Sequence, residues 1–354
     1  MEMSASQTNN IRSKGNVLVT GGAGYIGSTV SSALIDSGWT PIILDNFSSG
    51  RREFTVGRIF YEGDIADRNL IQKIVAAEGP LVGAIHCAAR IIVPESVTQP
   101  EVYYRENVAK SVELFGSLRD VGCQRIVFSS SASIYDVVEG FMVTESAPLK
   151  PSSPYARTKY MMEMVLRDFC DAYGLKGIAL RYFNPIGADP QMRTGAYVKE
   201  PTHVLGRLVS VALGKSPCFE ITGTDWPTRD GSGIRDYIHV WDLARAHVKA
   251  IENFDQVFSG TAVASSDSTS ASKNYRVINL GTGKGVTVRE LVAAFERVYK
   301  ATINKREAPP RPGDVAGSFA SADSALRLLN WRTEMSIEQG ISDALKWAKK
   351  WSAV

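Results

Sequence analysis

The segment Thr20–Gly27, with the sequence TGGAGYIG, constrains the fold of this chain more than any other. It follows the short apolar run 16–19 and precedes a helical pattern over residues 28–37. Its glycines at positions 21, 24 and 27 permit a tight turn, close approach of a ligand to the backbone, and close packing of the helix on the strand. The segment therefore predicts a strand–turn–helix unit whose helix N-terminus binds the phosphates of a dinucleotide, with contacts from Gly21, Gly24, Tyr25 and Ile26.

Short apolar runs and longer helical patterns alternate through the first half of the chain. The runs are 41–45, 81–87, 125–130 and 177–183, and the helical patterns are 67–77, 100–120 and 155–173. Continuous apolar strands in such an alternation predict a parallel sheet that is covered on both faces. Beyond residue 183 the alternation weakens, with a Gly- and Pro-rich loop at 184–201, helices at 203–214 and 287–300, and a strand at 277–280.

The predicted fold class is α/β, a Rossmann-type doubly wound parallel sheet with a smaller C-terminal substrate-binding α/β cap. We assign residues 15–183 and 236–283 to the dinucleotide-binding domain. We assign residues 184–235 and 284–352 to the cap. The Ser-, Thr- and Ala-rich segment 259–273 predicts a mobile surface loop.

Composition and charge argue against several classes of protein. The chain has 354 residues and a net charge of +3, and its Lys and Arg residues are scattered, so we expect no nucleic-acid partner. Its four cysteines form no CxxC pair and no metal-ligand spacing with the four histidines, so we expect no metal. Residues 1–14 lack an apolar core, and no apolar run is long enough for a membrane span. We therefore expect a cytoplasmic protein without a membrane partner.

Asp45 ends the second apolar run and lies 18 residues beyond Gly27. A carboxylate at this position accepts hydrogen bonds from ribose hydroxyls and repels a 2′-phosphate, so it predicts NAD rather than NADP. Asn46 follows it, and Asp64 with Ile65 is expected on the adenine side. Arg51 and Arg52 are the residues that would favour NADP, but we expect them to face solvent.

Tyr155 and Lys159 stand at i and i+4 of a helical pattern, so they share one face of a helix. A tyrosine is a poor base at neutral pH, but a nearby ammonium favours its phenolate. The Ser129–Ser131 run precedes this helix, at the end of a predicted strand. Hydroxyls at the carboxyl edge of a parallel sheet face the ligand crevice, where one of them can relay a proton from a sugar to Tyr155.

Together these motifs resemble the extended short-chain dehydrogenase/reductase family and, within it, the UDP-glucose 4-epimerase group. The resemblance spans roughly residues 15–350. Its further motifs are Asp45-Asn46, His86–Ala89, Glu95–Val97, Tyr103-Tyr104-x-x-Asn107, Phe128–Tyr135, Ser153-Pro154-Tyr155 with Lys159, Leu180–Pro185 and Asp230–Val240. The resemblance implies an NAD-dependent UDP-sugar 4-epimerase that keeps its cofactor bound and forms a homodimer through helices 100–120 and 155–173.

The family's residue roles carry over by position. The resemblance implies that Ser131 contacts the sugar O4, that Tyr155 is the general base, and that Lys159 lowers the pKa of Tyr155. Further implied cofactor contacts are Cys87, Ala88, Ala89, Asn107, Ser129 and Phe183. The implied contacts to the UDP-sugar are Asn184, His203, Arg235, Arg311 and Asp314.

Several positions depart from the family pattern, and they bear on which sugar is bound. Ile91 replaces a lysine, Thr222 an aromatic residue, and Ser318 a bulkier residue of the sugar pocket, while the loop 187–200 carries Arg193 and Lys199. Arg193, or Arg90, would clamp a carboxylate, so we expect UDP-glucuronate and UDP-galacturonate as substrates.

The leading alternative is UDP-glucose and UDP-galactose as substrates. A nucleotide-sugar dehydratase or decarboxylase is disfavoured, because Ala132-Ser133 stands where a dehydratase needs an acid–base pair. A non-catalytic NAD-binding protein is the remaining alternative, and it gives no reason for Ser131, Tyr155 and Lys159 to occur together.

Overall fold

The computed structural model describes residues 13–198, 200–259, 272–310 and 314–352. Most of the serine-rich segment predicted as a mobile loop lies outside these residues. The strands are β1 Asn16–Thr20, β2 Thr40–Asp45, β3 Ile59–Glu62, β4 Leu81–His86, β5 Arg125–Ser129, β6 Met142–Val143, β7 Lys176–Tyr182, β8 Asn184–Ile186, β9 Phe219–Thr222, β10 Ile234–Arg235, β11 Tyr237–His239, β12 Tyr275–Leu280, β13 Val286–Thr287, β14 Lys305–Ala308 and β15 Gly317–Ala320.

The helices are α1 Tyr25–Asp36, α2 Arg68–Glu78, α3 Val93–Thr98, α4 Pro100–Tyr103, α5 Lys110–Asp120, α6 Pro154–Tyr173, α7 Val204–Ala212, α8 Val240–Glu252, α9 Phe254–Phe258, α10 Val288–Tyr299, α11 Asp323–Leu329 and α12 Ile337–Ser352. Local sequence sets several of their ends. Ser153 caps α6 by accepting a hydrogen bond from the Ala156 N–H, and Gly174 ends that helix in the left-handed conformation. No helix within the described ranges has the length and apolar character that a membrane span needs.

Seven parallel strands form the central sheet in the order β3-β2-β1-β4-β5-β7-β12. The chain builds the sheet outward from β1 to β3, then returns to the other side of β1 with β4. This reversal opens a crevice at the carboxyl ends of β1 and β4, where ligands of doubly wound sheets bind. The predicted Rossmann-type fold is confirmed.

Each face of the sheet packs against helices. Val17 and Val19 of β1 join the cluster under α1 and α8, whereas Leu18 between them joins the cluster under α2, α5 and α6. This alternation follows from the two-residue period of a strand, and it explains why the strand is apolar at consecutive positions.

The strands between β7 and β12, those after β12, and β6 from the N-terminal half form smaller sheets beside the carboxyl edge of the large one. Their orders are β13-β10-β15-β6, β11-β8 and β14-β9. Helices α7, α10 and α12 pack together over a separate apolar cluster that includes Leu208, Phe295 and Ile341.

The loop that follows β8 lies along α1. The Tyr25 hydroxyl donates to the Gly187 carbonyl at 2.8 Å, and the Thr29 and Thr194 hydroxyls are 3.1 Å apart. Tyr25 and Thr29 are one helical turn apart, so both contacts use the same face of α1.

The predicted helix 100–120 is interrupted. A π-helical turn, Tyr104–Ala109, separates α4 from α5. The Asn107 side chain in this turn forms two hydrogen bonds with the backbone of Arg90. Its Oδ1 accepts the Arg90 N–H at 2.7 Å, and its Nδ2 donates to the Arg90 carbonyl at 3.0 Å. Such single π turns occur frequently at functional sites, because they displace a side chain from the regular helical position.

Candidate active site

Two glycines of the first turn have no room for a side chain. Gly21 has φ +67°, and a Cβ there would lie 2.7 Å from the Ala88 amide nitrogen. A Cβ on Gly27 would lie 2.2 Å from the Gly21 carbonyl oxygen. The turn therefore brings the N-terminus of α1 against the loop that follows β4, and the free N–H groups of that helix end suit an anion such as a pyrophosphate.

Asp45 stands at the carboxyl end of β2 and is 7% exposed. Its carboxylate accepts the Ala23 N–H at 2.9 Å and the Phe47 N–H at 2.8 Å. Burial raises the pKa of Asp45, and the two backbone hydrogen bonds oppose that rise. A carboxylate has about four lone-pair positions, so acceptor capacity remains for ribose hydroxyls.

Arg51 and Arg52 are both engaged within the chain. The Arg51 guanidinium lies 3.5 Å from the centre of the Tyr197 ring, and Arg52 donates to Glu62 at 2.6 Å. Both guanidinium groups thus have partners within the chain other than a 2′-phosphate, which agrees with the preference for NAD over NADP expected from Asp45.

The residues expected on the adenine side lie beyond β3. Asp64 forms an ion pair of 2.5 Å with Lys110 and accepts the Ala66 N–H at 2.9 Å. Ile65 is buried in the cluster under α2.

The loop after β4 is shaped from behind. The Cys87 N–H donates to the Thr20 carbonyl at 3.0 Å, which joins this loop to the end of β1. The Asn107 side-chain amide hydrogen-bonds to the Arg90 backbone. Its nitrogen also donates to the Thr158 hydroxyl at 3.0 Å. In this structure Asn107 acts by ordering residues 87–90, and the loop itself, with Ala88 and Ala89, faces the crevice.

Tyr155 and Lys159 lie one turn apart on α6, beside the end of β5. The Lys159 ammonium donates to the Ser129 carbonyl at 2.8 Å and lies 5.0 Å from the centre of the Phe128 ring. Burial lowers the pKa of Lys159 to about 8. Burial also raises the pKa of Tyr155, while a hydrogen bond with Ser131 lowers it. The Ser131 hydroxyl thus contacts the Tyr155 phenol, and Lys159 stands one helical turn away, in a setting where a bound positive charge would favour the phenolate.

The Ser129 side chain is fully buried and bonds within the protein. Its hydroxyl lies 2.9 Å from His247 Nε2 and 3.1 Å from the Cys87 sulfur. His247 Nδ1 lies 2.9 Å from the Leu243 carbonyl, so Nδ1 carries the proton and Nε2 accepts from Ser129. Ser129 therefore serves the site through its carbonyl, which holds Lys159, rather than through its hydroxyl.

The substrate-side candidates gather where β7 continues into β8. Phe183 and Asn184 follow β7, and the Asn184 N–H donates to the Asp236 carbonyl at 3.0 Å. Arg235 pairs in register with Ser318 across β10 and β15, and its guanidinium donates to the Ala316 carbonyl at 2.8 Å. Asp314 immediately precedes this segment. Arg311 and Lys199 lie outside the described residues.

Tyr237, next to this group, was not singled out by the sequence. Its hydroxyl is buried and has no hydrogen-bond partner among the described residues. Burial raises the pKa of Tyr237 to about 12, and Arg235 lies close enough to lower it. An orphaned buried hydroxyl beside a guanidinium fits a site that receives a polar, anionic ligand.

Residues 17–264 match the NAD dependent epimerase/dehydratase family. The chain is 40% identical over 342 residues to UDP-glucose 4-epimerase of Bacillus subtilis (strain 168), covering 94% of this chain and 96% of that protein. The chain belongs to the NAD dependent epimerase/dehydratase family.

Solved structures of this epimerase family resemble the whole chain. UDP-glucose-4-epimerase from Stenotrophomonas maltophila, with bound NAD and formylated UDP-arabinopyranose, has a TM-score of 0.87 and 35% identity and covers 96% of this chain and 99% of its own. The Bifidobacterium longum enzyme, in complex with NAD⁺ and UDP, has a TM-score of 0.84 and 32% identity and covers 95% and 98%.

The cofactor of this family member is NAD. The residues present fit it. The side-chain-free turn at Gly21 accepts a pyrophosphate, Asp45 keeps acceptor capacity for ribose hydroxyls, and the Lys159 ammonium stands at the catalytic edge.

The structure does not support the expectation that Arg193 clamps a sugar carboxylate. Its guanidinium binds Asp36 at 2.7 and 2.9 Å and Asp189 at 2.5 Å. Asp36 is the last residue of α1, so it lies roughly 16 Å along the helix from the end that receives the phosphates. Arg193 is therefore a strut between the epimerase loop and α1, and its charge is already neutralised by two carboxylates. Asp189 is only four residues before Arg193, but the segment is a loop, so no helical spacing predicted this pairing.

The other polar candidates are also partly committed. Arg90, the second carboxylate candidate, lies 3.6 Å from Glu95. His203 accepts the Gly206 N–H at 3.1 Å and so caps α7. Its position at that helix N-terminus, close to the loop after β8, remains compatible with the diphosphate role that we expect for it.

A buried ionic network behind the catalytic groups was missed from sequence. Glu163 lies on α6, four residues after Lys159, and receives both Arg181 of β7 and the Ser130 hydroxyl. Its spacing from Tyr155 and Lys159 was the available signal, because positions i, i+4 and i+8 share one helix face.

Proposed function

We propose that this NAD-dependent UDP-sugar 4-epimerase interconverts UDP-glucose and UDP-galactose by inverting the configuration at C4 of the hexose. The observation that carries the proposal is the contact of Ser131 with Tyr155 beside the buried Lys159, at the edge of the sheet where the cofactor turn lies. The relatives named UDP-glucose 4-epimerase supply the substrate class.

The proposed reaction needs one proton acceptor and one group that keeps it ionised. Tyr155 accepts the proton of the sugar O4, directly or through the Ser131 hydroxyl, and returns it after inversion. Lys159 holds a positive charge beside the phenol, because its pKa of about 8 leaves most of the ammonium protonated at neutral pH. Bound NAD would supply the hydride acceptor and donor for C4, and the turn at Gly21, the Asp45 carboxylate and Lys159 would hold it.

Inversion requires a firm hold on the nucleotide and a loose hold on the hexose. Arg235 and the orphaned Tyr237 hydroxyl are suited to the diphosphate, and Asn184 stands between them and the end of β7. We expect these contacts to hold the UDP portion while the 4-keto sugar turns over. Arg311, Asp314 and His203 remain proposed members of this site.

Substrate charge favours the neutral hexose. The residue that would have selected a uronate, Arg193, is bound to Asp36 and Asp189, and Arg90 faces Glu95. A dehydratase reaction has no acid–base pair at the required place, because Ala132 and Ser133 form a short 3₁₀ turn after Ser131.

The test is turnover of a panel of UDP-sugars by the purified protein without added NAD. We expect UDP-glucose and UDP-galactose to be interconverted with a higher kcat/KM than UDP-glucuronate. Replacing Tyr155 by Phe should lower kcat by about 10²- to 10⁴-fold, with NAD still bound. A Phe variant with near-wild-type turnover, or a wild type that prefers UDP-glucuronate, would contradict the proposal.

We further propose that the chain forms a homodimer through the outer faces of α5 and α6, and that the cofactor domain and the cap divide as the sequence predicts. Support for the interface comes from the partly exposed apolar side chains Val112, Met161 and Met164 on these helices. Light scattering on the wild type and on Met161→Glu measures the mass of the assembly. A wild type with the mass of one chain would contradict the dimer.

A further inference from the structure

Ser129 and Ser130, the first two of the three serines at the end of β5, are hydrogen-bonded to helices on opposite sides of the sheet. Ser129 and Ser130 are both fully buried. Ser129 bonds to His247 of α8, whereas Ser130 donates to Glu163 of α6. Because neighbouring residues of a strand point to opposite faces, the pair grips this strand end from both sides, immediately before Ser131.

Glu163 is the centre of the grip on the α6 side. Arg181 binds its carboxylate with both prongs, Nε to Oε1 at 3.0 Å and Nη2 to Oε2 at 2.7 Å, and the Ser130 hydroxyl donates to Oε1. Arg181 in turn donates to the Tyr135 hydroxyl at 2.9 Å, and Tyr135 donates to Asn279 Oδ1 at 2.7 Å. The network thus joins α6 and β7 to the backbone that follows Ser131.

Stability alone is a weak reason for such a pair. Glu163 and Arg181 are 3% and 4% exposed, so both charges are removed from water. The desolvation of a buried ion pair cancels most of its attraction, and well-packed apolar residues often serve as well. The pair contacts the Ser130 hydroxyl, and Glu163 lies one helical turn from Lys159. This position indicates a role in catalysis.

The negative charge of Glu163 also bears on Lys159, because it raises the pKa of Lys159 against the effect of burial. The titratable groups near Lys159 are His86 at the end of β4, Cys87 directly after it, and Tyr155 and Glu163, which stand one turn before and one turn after Lys159 on α6. Burial lowers the pKa of His86 to about 3 and raises that of Cys87 to about 11, and burial also raises that of Tyr155. Near neutral pH those three groups are uncharged, so the Glu163 carboxylate is the member of the four that favours the ammonium.

We propose that Glu163 is a positioning residue for catalysis: it fixes Ser130, and with it the strand end that carries Ser131 and the Ser129 carbonyl, while its charge sustains the Lys159 ammonium. The titratable and charged groups that face Glu163 are Arg181 from β7, Tyr275 from β12, Tyr135 after the turn that follows β5, and Lys159. The inference rests on the proposed epimerase function, because it concerns the same catalytic groups.

Two substitutions separate the two parts of this role. Ser130→Ala removes the link to the strand end and keeps the Glu163–Arg181 pair. We expect kcat to fall about 10- to 100-fold with KM little changed, since small displacements of reacting groups cost rates of that order. The pH dependence of kcat should keep its alkaline limb.

Glu163→Gln keeps the shape and an acceptor for Ser130 but removes the negative charge. Lys159 then loses its proton at lower pH, so the alkaline limb of the kcat profile should move to lower pH by about one pH unit or more. The matched control is Asp242→Asn, which alters another fully buried carboxylate that accepts the Glu334 and Met335 N–H groups, both at 2.9 Å. The control should lose stability and keep the wild-type kcat and pH profile.

Glu163→Gln leaves the buried Arg181 charge without its carboxylate, so Glu163→Gln/Arg181→Met provides a charge-balanced second variant in case the single variant does not fold. We expect it to fold and to retain the displaced alkaline limb. A wild-type pH profile in whichever of the two Glu163 variants folds, or a wild-type kcat in Ser130→Ala, would overturn the proposal. Wild-type protein assayed in parallel distinguishes the two levels, because absence of epimerisation there overturns the proposed function instead.

Discussion

Replacing Arg193 by Gln should destabilise the protein without changing its choice of sugar. Two carboxylates lose their partner. Asp36 is about one-third exposed, so its pair contributes at most about 1 kcal/mol. Asp189 is fully buried, and breaking a buried pair by removing one partner typically costs about 3–5 kcal/mol.

Two neighbours reduce the cost at Asp189. The Gln191 N–H still donates to the Asp189 carboxylate at 3.0 Å. A second guanidinium, that of Arg58, also lies near Asp189 and Asp36. Burial and the charge of Arg193 lower the pKa of Arg58 to about 10, so loss of Arg193 lets Arg58 compensate in part. We therefore expect a total loss of about 2–4 kcal/mol in the free energy of unfolding.

Urea unfolding of the NAD-loaded protein measures this loss. With a slope of about 3 kcal/mol per molar urea, the midpoint should fall by roughly 1 M. In the double variant Arg193→Gln/Asp189→Asn the buried charge is gone, so its loss should be smaller than the sum of the two single losses by about 1–3 kcal/mol.

Arg193→Gln also tests the expectation that Arg193 binds the carboxylate of a uronate sugar. Its kcat/KM should change by the same factor for UDP-glucose and for UDP-glucuronate, because Arg193 contacts α1 and not the catalytic edge. A loss of stability below about 1 kcal/mol, or a selective loss of activity toward UDP-glucuronate, would refute the reasoning.

Two further predictions concern the cofactor and pH. Asp45→Ser removes the charge that repels a 2′-phosphate, so nucleotide extracted from this variant should contain a larger fraction of NADP than the wild type; an unchanged fraction would contradict the role of Asp45. Burial lowers the pKa of His86 to about 3 and of His247 to about 4, below their unfolded value of about 6.5. Between those values the unfolded chain binds more protons, so stability should fall as pH drops below about 6.5, by about 1.4 kcal/mol per pH unit for each histidine. His247→Gln should reduce this slope by the contribution of one histidine, and an unaltered slope between pH 6 and 5 would contradict the assignment.

The local parts of the site were predictable because short spacings carry them. The glycines of the first turn, Asp45 at a strand end, and Tyr155 with Lys159 on one helix face all follow from patterns within a few residues. The start of α1 was placed three residues late, since Tyr25 at its first turn belongs to the glycine motif itself.

The parts that could not be predicted depend on contacts between distant segments. Arg193 was assigned to the sugar from its loop alone, but its partner Asp36 lies 157 residues earlier. The run of serines was taken as a set of hydroxyls at the crevice. The two-residue period of a strand already implied that Ser129 and Ser130 could not both face the ligand.

The loop along α1 has a consequence for recombining members of this family. The contacts Tyr25–Gly187, Thr29–Thr194 and Asp36–Arg193 all join α1 to the loop that follows β8. A chimera that joins this N-terminal half to the substrate-binding half of a relative would separate each of these pairs. A chimera meant to transfer sugar specificity should therefore keep residues 187–194 and α1 from the same parent. Alternatively, Tyr25, Thr29 and Asp36 should be exchanged together with the transferred segment.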